Sequence, residues 1–200
     1  MTLETLLAHP DIARLARALS QTPGRMVALD LERRWAAIAL TLRLSTAGEP
    51  ELLMIKRAEH AGDPWSGHVA VPGGRMDPDD ADLAFTAMRE TLEETGIDLA
   101  RVGRILGTLD DVAPRTPNLP PISIRPFVVA AHSELAVTPS AEVAQWFWVP
   151  LSDIRDERAW ALRSVLVRGA PREERTFTYR EHVVWGLTER VLRQLVELLG

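Results

Sequence analysis

The N-terminal 30 residues carry apolar residues with the spacing of an amphipathic helix. These residues recur every three or four positions through residues 3–20, and Pro10 interrupts the series. The pattern predicts a short helical segment that breaks at Pro10. We expect residues 1–30 to form an N-terminal helical extension and residues 31–200 to form one domain, since no repeat or linker divides them.

Short apolar runs predict a series of strands in the main domain. The first two, residues 35–44 and 52–56, flank a turn that contains Gly and Pro, and they predict a hairpin. The later elements, in order, are strands at 68–71, 102–109, 122–131 and 146–149, a short helix from Pro150, a charged loop with edge strands at 156–182, and an amphipathic helix at 188–199. Strands that alternate with two principal helices fit an α/β fold, an α/β/α sandwich around a mixed sheet.

Three glutamates on one predicted helix break two rules of helix stability. Glu90 and Glu94 are i,i+4 neighbours and Glu93 lies beside both, so like charges crowd one arc of the surface. They also lie towards the C-terminal end, where the helix dipole disfavours anions. Local rules are broken mainly where function compensates, and a divalent cation would compensate here. The alternative is an exposed, acid-rich helix.

The ends of this helix and its apolar side are also predicted. Residues 77–80 suit a helix start, because Asp favours the N-cap and Pro the first turn, and Gly96 suits a left-handed C-cap. A sharp turn at Gly73 and Gly74 precedes the helix. We expect the glutamates to face a cleft and the opposite side to pack inward, through Ala84, Phe85, Ala87, Met88 and Leu92.

Composition limits the class of protein and of partner. A content of 46% hydrophobic and 26% charged residues is ordinary for a globular protein. The formal net charge of −5 argues against a nucleic-acid binder, which would carry a basic face. The absence of cysteine excludes disulfides and thiolate metal sites. No signal peptide is apparent and no apolar run reaches ~20 residues, so we expect a cytoplasmic protein without a membrane partner.

Residues 74–97 resemble the signature of the Nudix hydrolases. That signature is a Gly, a spacer, then Arg-Glu-x-x-Glu-Glu-x-Gly and an aliphatic residue, which match Gly74, residues 89–96 and Ile97. The spacer is one residue longer than in the commonest form and lacks its usual mid-spacer Glu. The resemblance implies the Nudix α/β/α sandwich with a mixed sheet, and a nucleotide substrate.

The same resemblance implies roles for individual residues. Glu90 and Glu94 would be the principal metal ligands, Glu93 an auxiliary ligand or the catalytic base, and Arg89 would orient the glutamates through a salt bridge. Carboxylate oxygens are hard ligands, so Mg²⁺ or Mn²⁺ is the expected cofactor. Glu142 lies in a region where many Nudix enzymes supply a further acid, which would act as base or ligand. The alternative is an exposed Glu at a turn.

Residues 52–58 and 62–74 resemble a second motif, which marks the coenzyme A pyrophosphatase branch, although the usual internal Arg is missing. This resemblance implies cleavage of coenzyme A or acyl-CoA to adenosine 3′,5′-bisphosphate and 4′-phosphopantetheine. The 3′-phosphate would need a cation, and Lys56 and Arg57 are the nearest to the motif; otherwise they form a solvated strand end. The expected substrate contacts are Lys56, Arg57, Gly73, Gly74 and Arg115.

Two other functions remain open from the sequence. A hydrolase of ADP-ribose, dinucleotides or oxidised nucleotides would use the same glutamates with a different pocket. A catalytically silent nucleotide sensor is the other alternative, but a binding module could lose glutamates that here are intact. In each case the partner is a small-molecule nucleotide, and a homodimer is compatible with the sequence.

Overall fold

Strands and helices alternate along the part of the chain described by the computed structural model, residues 2–29, 34–60, 65–114, 122–167 and 169–200. The helices are α1 (Leu3–Ala8), α2 (Pro10–Gln21), α3 (Leu83–Thr95), α4 (Leu99–Val102), α5 (Leu151–Arg155) and α6 (Leu187–Leu199). The strands are β1 (Arg34–Leu44), β2 (Pro50–Arg57), β3 (Val69–Ala70), β4 (Gly73–Arg75), β5 (Gly103–Thr108), β6 (Ile122–Ala131), β7 (Val143–Pro150), β8 (Trp160–Val167), β9 (Ala170–Tyr179) and β10 (His182–Trp185). No helix in these ranges is long and apolar enough to cross a membrane.

The larger sheet is mixed. Its strand order is β3-β2-β1-β6-β5, and β4 pairs with β1 and β7 with β2. β1 and β6 run parallel, with Leu42 opposite Ala130, whereas the other pairs are antiparallel. The predicted hairpin of β1 and β2 is present, with Leu42 also opposite Leu52. The α/β fold with a mixed sheet that the sequence predicts is thereby confirmed.

Helices cover both faces of this sheet. β1 contributes apolar residues to both faces, because successive residues of a strand point to opposite sides. Along β1, Ala37 and Ala39 enter the apolar core that α3 and α4 complete. Leu40 and Leu42 enter the other core, which contains residues of α1, α2 and α6. Each buried leucine stabilises the fold by roughly 1.5–3 kcal/mol. Because β1 places apolar residues on both of its faces, this one strand packs against the helices on both sides of the sheet.

The N-terminal helices are part of the core. The chain breaks between α1 and α2 at Pro10, the first residue of α2, as the sequence predicts. Buried side chains from both helices join the core that α6 enters: Leu6, Ile12, Leu15 and Leu19. The domain boundary predicted at residue 30 falls outside the described residues and stays a prediction.

Helix α3 begins later than the sequence predicts. Its N-cap is Asp82, whose Oδ1 accepts a hydrogen bond from Phe85 N at 2.8 Å. The predicted helix start at residues 77–80 is wrong, because these residues form a turn. Asp80 there accepts hydrogen bonds from the side chains of Thr86 and Arg89, and does not cap the helix.

The buried side of α3 is also rotated from the predicted one. Phe85 and Leu92, which the sequence pattern predicts on the inward side, are exposed, whereas Thr86, Thr91 and Glu94 are buried. The prediction fails because α3 packs closely against β1 and β4, where small side chains allow the approach. Glu94 is consequently turned towards the sheet.

Residues 156–182 are more regular than a loop. β8 and β9 form an antiparallel hairpin from Trp160, opposite Phe177, to Val167, opposite Ala170. β10 pairs with the end of β9 and completes a separate three-stranded sheet. Much of the hairpin is exposed on both faces, so the sequence lacks the alternation that marks a half-buried strand.

Candidate active site

The glycine turn and helix α3 meet at two glutamates. Gly73 has a φ of 148°, which favours glycine, and its N–H donates to Glu94 Oε2 at 2.9 Å. At Gly74, a Cβ atom would overlap the carboxylate of Glu90. The backbone of β4 therefore approaches both carboxylates, Glu94 through the Gly73 N–H and Glu90 through the space left by the missing side chain of Gly74.

Glu94 is almost fully buried, with 4% of its surface exposed. Burial raises the pKa of Glu94 to about 7, and the charges of Glu90 and Glu142 act in the same direction. The Gly73 N–H and the Arg57 guanidinium oppose this rise, with Arg57 Nη1 lying 3.7 Å from Glu94 Oε1. A buried carboxylate with so perturbed a pKa is typical of a functional site.

Arg89 connects α3 to the turn that precedes it. Its Nε donates to Asp80 Oδ1 at 2.9 Å and its Nη2 to the Arg75 carbonyl at 3.0 Å. Its Nη1 donates to Glu90 Oε1 at 3.1 Å and to Glu93 Oε2 at 3.1 Å. The hydrogen bonds that the Arg89 guanidinium donates to Asp80 hold the pKa of Asp80 well below its usual range. These contacts are the ones expected of a residue that orients Glu90.

Sequence reasoning missed Asp80. Its side chain is buried, and its Oδ2 accepts hydrogen bonds from Thr86 Oγ1 at 2.8 Å and from Asp77 N at 3.0 Å. Its acidic charge ahead of Arg89 is a signal in the sequence, but the acids at residues 77–80 also match the pattern of a helix start. The path of the turn at residues 77–80, which no local pattern fixes, brings Asp80 to Arg89.

Two of the expected acids lie at the margin of the site. The carboxylate of Glu93 is largely exposed and contacts Arg89. Glu142 is exposed, its backbone carbonyl accepts a hydrogen bond from Ala58 N at 2.8 Å, and its charge helps to raise the pKa of Glu94. Glu142 therefore lies within electrostatic reach of the buried carboxylate.

The predicted substrate-binding cations are separated by the sheet. Arg57 contacts Glu94, whereas Lys56, the preceding residue of β2, points to the opposite face because side chains alternate along a strand. Arg115 lies outside the described residues. The structure therefore brings Arg57, and not Lys56, to the glutamates.

The acids do not form a complete cage for a metal. Among the residues that the structure describes, no group of three or more His, Cys, Asp and Glu side chains is arranged to hold an ion. Glu90 and Glu94 nevertheless converge at the glycine turn, and burial raises the pKa of both. Two carboxylates leave positions for water and substrate oxygens, as catalytic Mg²⁺ sites do.

Comparisons with known sequences identify the domain. The profile of the NUDIX domain matches residues 32–168. The uncharacterized Nudix hydrolase NudL of Photorhabdus laumondii is 32% identical over 183 residues, which cover 88% of this chain and 91% of that protein. NudL of an Enterobacter species is 32% identical over 171 residues, 85% of each chain.

Solved structures agree with the sequence comparisons. An Ap4A hydrolase of C. elegans, solved as a binary complex, is 25% identical with a TM-score of 0.50, over 60% of this chain and 82% of that chain. A MutT/Nudix family protein from Enterococcus faecalis is similar in fold, with a TM-score of 0.51 and 15% identity over 98% of this chain and 78% of that chain. Since the domain profile spans most of the sequence and the NudL relatives exceed 30% identity over most of their length, the chain belongs to the Nudix family and is a Nudix hydrolase.

Proposed function

We propose that the protein hydrolyses the diphosphate linkage of a nucleoside diphosphate derivative with the help of a divalent metal. The observation that carries the proposal is the convergence of Glu90 and Glu94 on the side-chain-free backbone of Gly73 and Gly74. One almost fully buried and one partly buried carboxylate beside a backbone without side chains suit the binding of a cation together with phosphate oxygens.

Nudix hydrolases generally use divalent metals, and the residues present fit such an ion. Glu90 and Glu94 would hold it, because their oxygens are hard donors and both carboxylates gain from a nearby positive charge. We propose Mg²⁺ or Mn²⁺. When bound, such an ion neutralises diphosphate oxygens and lowers the pKa of coordinated water.

The remaining residues orient these groups and move a proton. Arg89 holds Glu90 against the turn, so that the carboxylate keeps its direction without help from the substrate. Glu93 and Glu142 are the candidate bases for the attacking water, because both carboxylates are exposed to solvent at the margin of the site. Attack on one phosphorus breaks the P–O–P bridge and gives two phosphate esters.

Coenzyme A or an acyl-CoA is the substrate that we propose. The support is the resemblance of residues 52–58 and 62–74 to the coenzyme A branch of the family. Arg57, which belongs to that motif, lies beside Glu94, where a guanidinium would meet the phosphates of the scissile bridge. The products would be adenosine 3′,5′-bisphosphate and 4′-phosphopantetheine.

A dinucleoside polyphosphate is the second candidate substrate, and hydrolysis of ADP-ribose or oxidised nucleotides would use the same groups. The likeness to the C. elegans Ap4A hydrolase favours the dinucleotide. A silent sensor is disfavoured, because a module that only binds nucleotides would not need the costly burial of Glu94.

A substrate panel tests the proposal. Coenzyme A, dephospho-coenzyme A, Ap4A, ADP-ribose and NADH would be compared by kcat/KM with Mg²⁺ and with Mn²⁺, and the products would be identified by mass spectrometry. The expected result is highest kcat/KM for coenzyme A, with cleavage between the two phosphorus atoms. A preference for Ap4A or ADP-ribose would overturn the coenzyme A assignment, and no cleavage of any diphosphate would overturn the reaction itself.

A further inference from the structure

In the second sheet, the outer edges of β8 and β9 differ in their protection. Its order is β10-β9-β8, and within the described residues β8 pairs with β9 alone, so the outer edge of β8 is open. Among the residues that the structure describes, nothing pairs with the outer edge of β9 before Thr176, where pairing with β10 begins. That open stretch of β9 contains Pro171 and four charged residues at positions 172–175. Proline and charges on an edge discourage the addition of another strand.

β8 has much less of this protection. It contains no proline, and its one charged residue is Arg163. Leu162 and Leu166 are 69% and 72% exposed, and their even spacing places both on the same face. A long, apolar and open edge strand pairs with other chains unless something covers it. The contrast with β9 marks the outer edge of β8 as the one suited to pairing with a further strand.

We propose that this further strand is β8 of a second copy of the chain, paired antiparallel about a two-fold axis at Ser164. The two three-stranded sheets would then form one continuous six-stranded sheet. In this register Leu162 faces the partner's Leu166, Arg163 faces the partner's Val165, and Ser164 faces the partner's Ser164. No like charges face each other, and four leucines form one apolar strip.

The base of the hairpin is held in a fixed orientation. Trp160 Nε1 donates to the Ile154 carbonyl at 2.8 Å, its ring packs 5.1 Å from that of Phe177, and the Arg193 guanidinium lies 4.6 Å from its centroid. The outer edge of β8 is therefore already ordered. Association would cost little further conformational entropy in the hairpin, which favours pairing. Leucines that are symmetric about Ser164 make the edge complementary to itself, as a two-fold interface requires.

Disulfide cross-linking tests the register, because the chain has no cysteine of its own. Ser164→Cys should form a covalent dimer under mild oxidation, since directly opposed residues have Cβ atoms about 4.5–5.5 Å apart, within reach of a disulfide. The double variant Leu162→Cys with Leu166→Cys should also cross-link. Leu166→Cys alone is the matched control and should stay uncross-linked, because its counterpart in the partner lies about 13 Å along the strand. Equal cross-linking of Ser164→Cys and Leu166→Cys would overturn the register.

Sedimentation equilibrium tests the dimer itself. The wild-type protein should be dimeric at about 100 µM, a concentration that populates even weak interfaces. Leu162→Asp with Leu166→Asp should raise the dimer Kd by about 100-fold or more, because the new carboxylates face each other. Met26→Asp with Leu29→Asp, a pair with the same charge change at other exposed apolar residues, should leave the dimer intact. A monomeric wild type, or a dimer that survives the aspartates at positions 162 and 166, would overturn the proposal.

Diphosphatase activity should be the same in all these variants, so this result is independent of the proposed reaction.

Discussion

Gly74 and Glu90 approach so closely that any Cβ atom at position 74 would overlap the Glu90 carboxylate. The neighbouring Gly73 is enclosed differently, because a Cβ there would overlap the Ala37 carbonyl and Ile38 backbone of β1. The first overlap involves the end of a flexible side chain and the second involves fixed backbone. Two adjacent glycines therefore serve different purposes, one for the site and one for the fold.

Gly74→Ala should reduce activity with little effect on stability. The new methyl group would push the Glu90 carboxylate out of position, and a misplacement of about 1 Å can lower the rate by about 100-fold. The flexible side chain of Glu90 can move without unfolding the helix, so the melting temperature should change by less than about 2 °C. Steady-state kinetics and thermal unfolding check both expectations.

Gly73→Ala is the matched control, and it should mainly destabilise the protein. A φ of 148° disfavours alanine, and the overlap with β1 adds to the strain. We expect a loss of about 2 kcal/mol or more in the free energy of unfolding. If both variants lost activity and stability in the same proportion, the distinction between the two glycines would be wrong.

The stability of the metal-free protein should fall as the pH rises through the titration of Glu94. Burial raises the pKa of this group from 4.5 to about 7, so the folded protein binds more protons than the unfolded chain between these values. The penalty is absent below the unfolded pKa, is complete above the folded one, and amounts to about 3 kcal/mol. Urea unfolding in EDTA from pH 4 to pH 8 would measure it, and added Mg²⁺ should restore stability at pH 8.

Glu94→Gln should remove this decline together with most of the activity. The amide cannot ionise, so the variant should be more stable than the wild type at pH 8 in EDTA, and it should gain little from Mg²⁺. Glu93→Gln is the control, because that carboxylate is largely exposed and should leave the pH profile of stability unchanged. Near wild-type turnover of Glu94→Gln in saturating Mg²⁺ and Mn²⁺ would contradict its assignment as a ligand.

Arg89→Ala should destabilise the protein by roughly 3 kcal/mol, because it leaves the buried carboxylate of Asp80 without its partner. Removing that charge as well, in Asp80→Asn with Arg89→Ala, should recover part of the loss. A double-mutant cycle measures the coupling between the two residues. Strictly additive effects would show that the ion pair does not hold the turn to α3.

The sequence predicted the parts of the site that depend on local geometry. Glu90 and Glu94 lie one turn apart on a helix, and Gly96 ends it with a φ of 72°, as the pattern indicated. The pairing of Asp80 with Arg89 could not be predicted, because it depends on the path of a non-helical turn. The same holds for Arg57, whose position beside Glu94 depends on the place of β2 next to β1 in the sheet that α3 covers.

Two failures of the helix prediction have a common cause. Phe85 and Leu92 are two of the large apolar residues of α3, and hydrophobicity alone places them inside. The close contact with β1 and β4 instead selects the small residues Ala87 and Thr91, and it buries Glu94 with them. Binary patterning misses this arrangement because a functional carboxylate replaces an apolar residue on the buried side.

Glu142→Gln should lower kcat more than it changes stability. The side chain is exposed, so its loss removes no core contact, and a fall in kcat of more than about threefold, roughly 0.6 kcal/mol of barrier, would support a role as base. The variant should also lower the pKa of Glu94, because it removes a repulsive charge. A smaller fall in kcat would make Glu93 the better candidate, and Glu93→Gln measured in parallel would decide between them.

Arg57→Ala should weaken the cleavage of coenzyme A and of dephospho-coenzyme A by the same factor. Arg57 lies beside Glu94, so its guanidinium is expected to contact the diphosphate that both substrates share, and not the 3′-phosphate that distinguishes them. The loss of a charge-assisted hydrogen bond of roughly 1.5–3 kcal/mol would lower kcat/KM by about 10- to 150-fold for each. Lys56→Ala is the matched control on the other face of β2, and it should leave both values unchanged. A loss confined to coenzyme A in Arg57→Ala would instead place the 3′-phosphate next to the glutamates, and the scissile bridge would then need another cation.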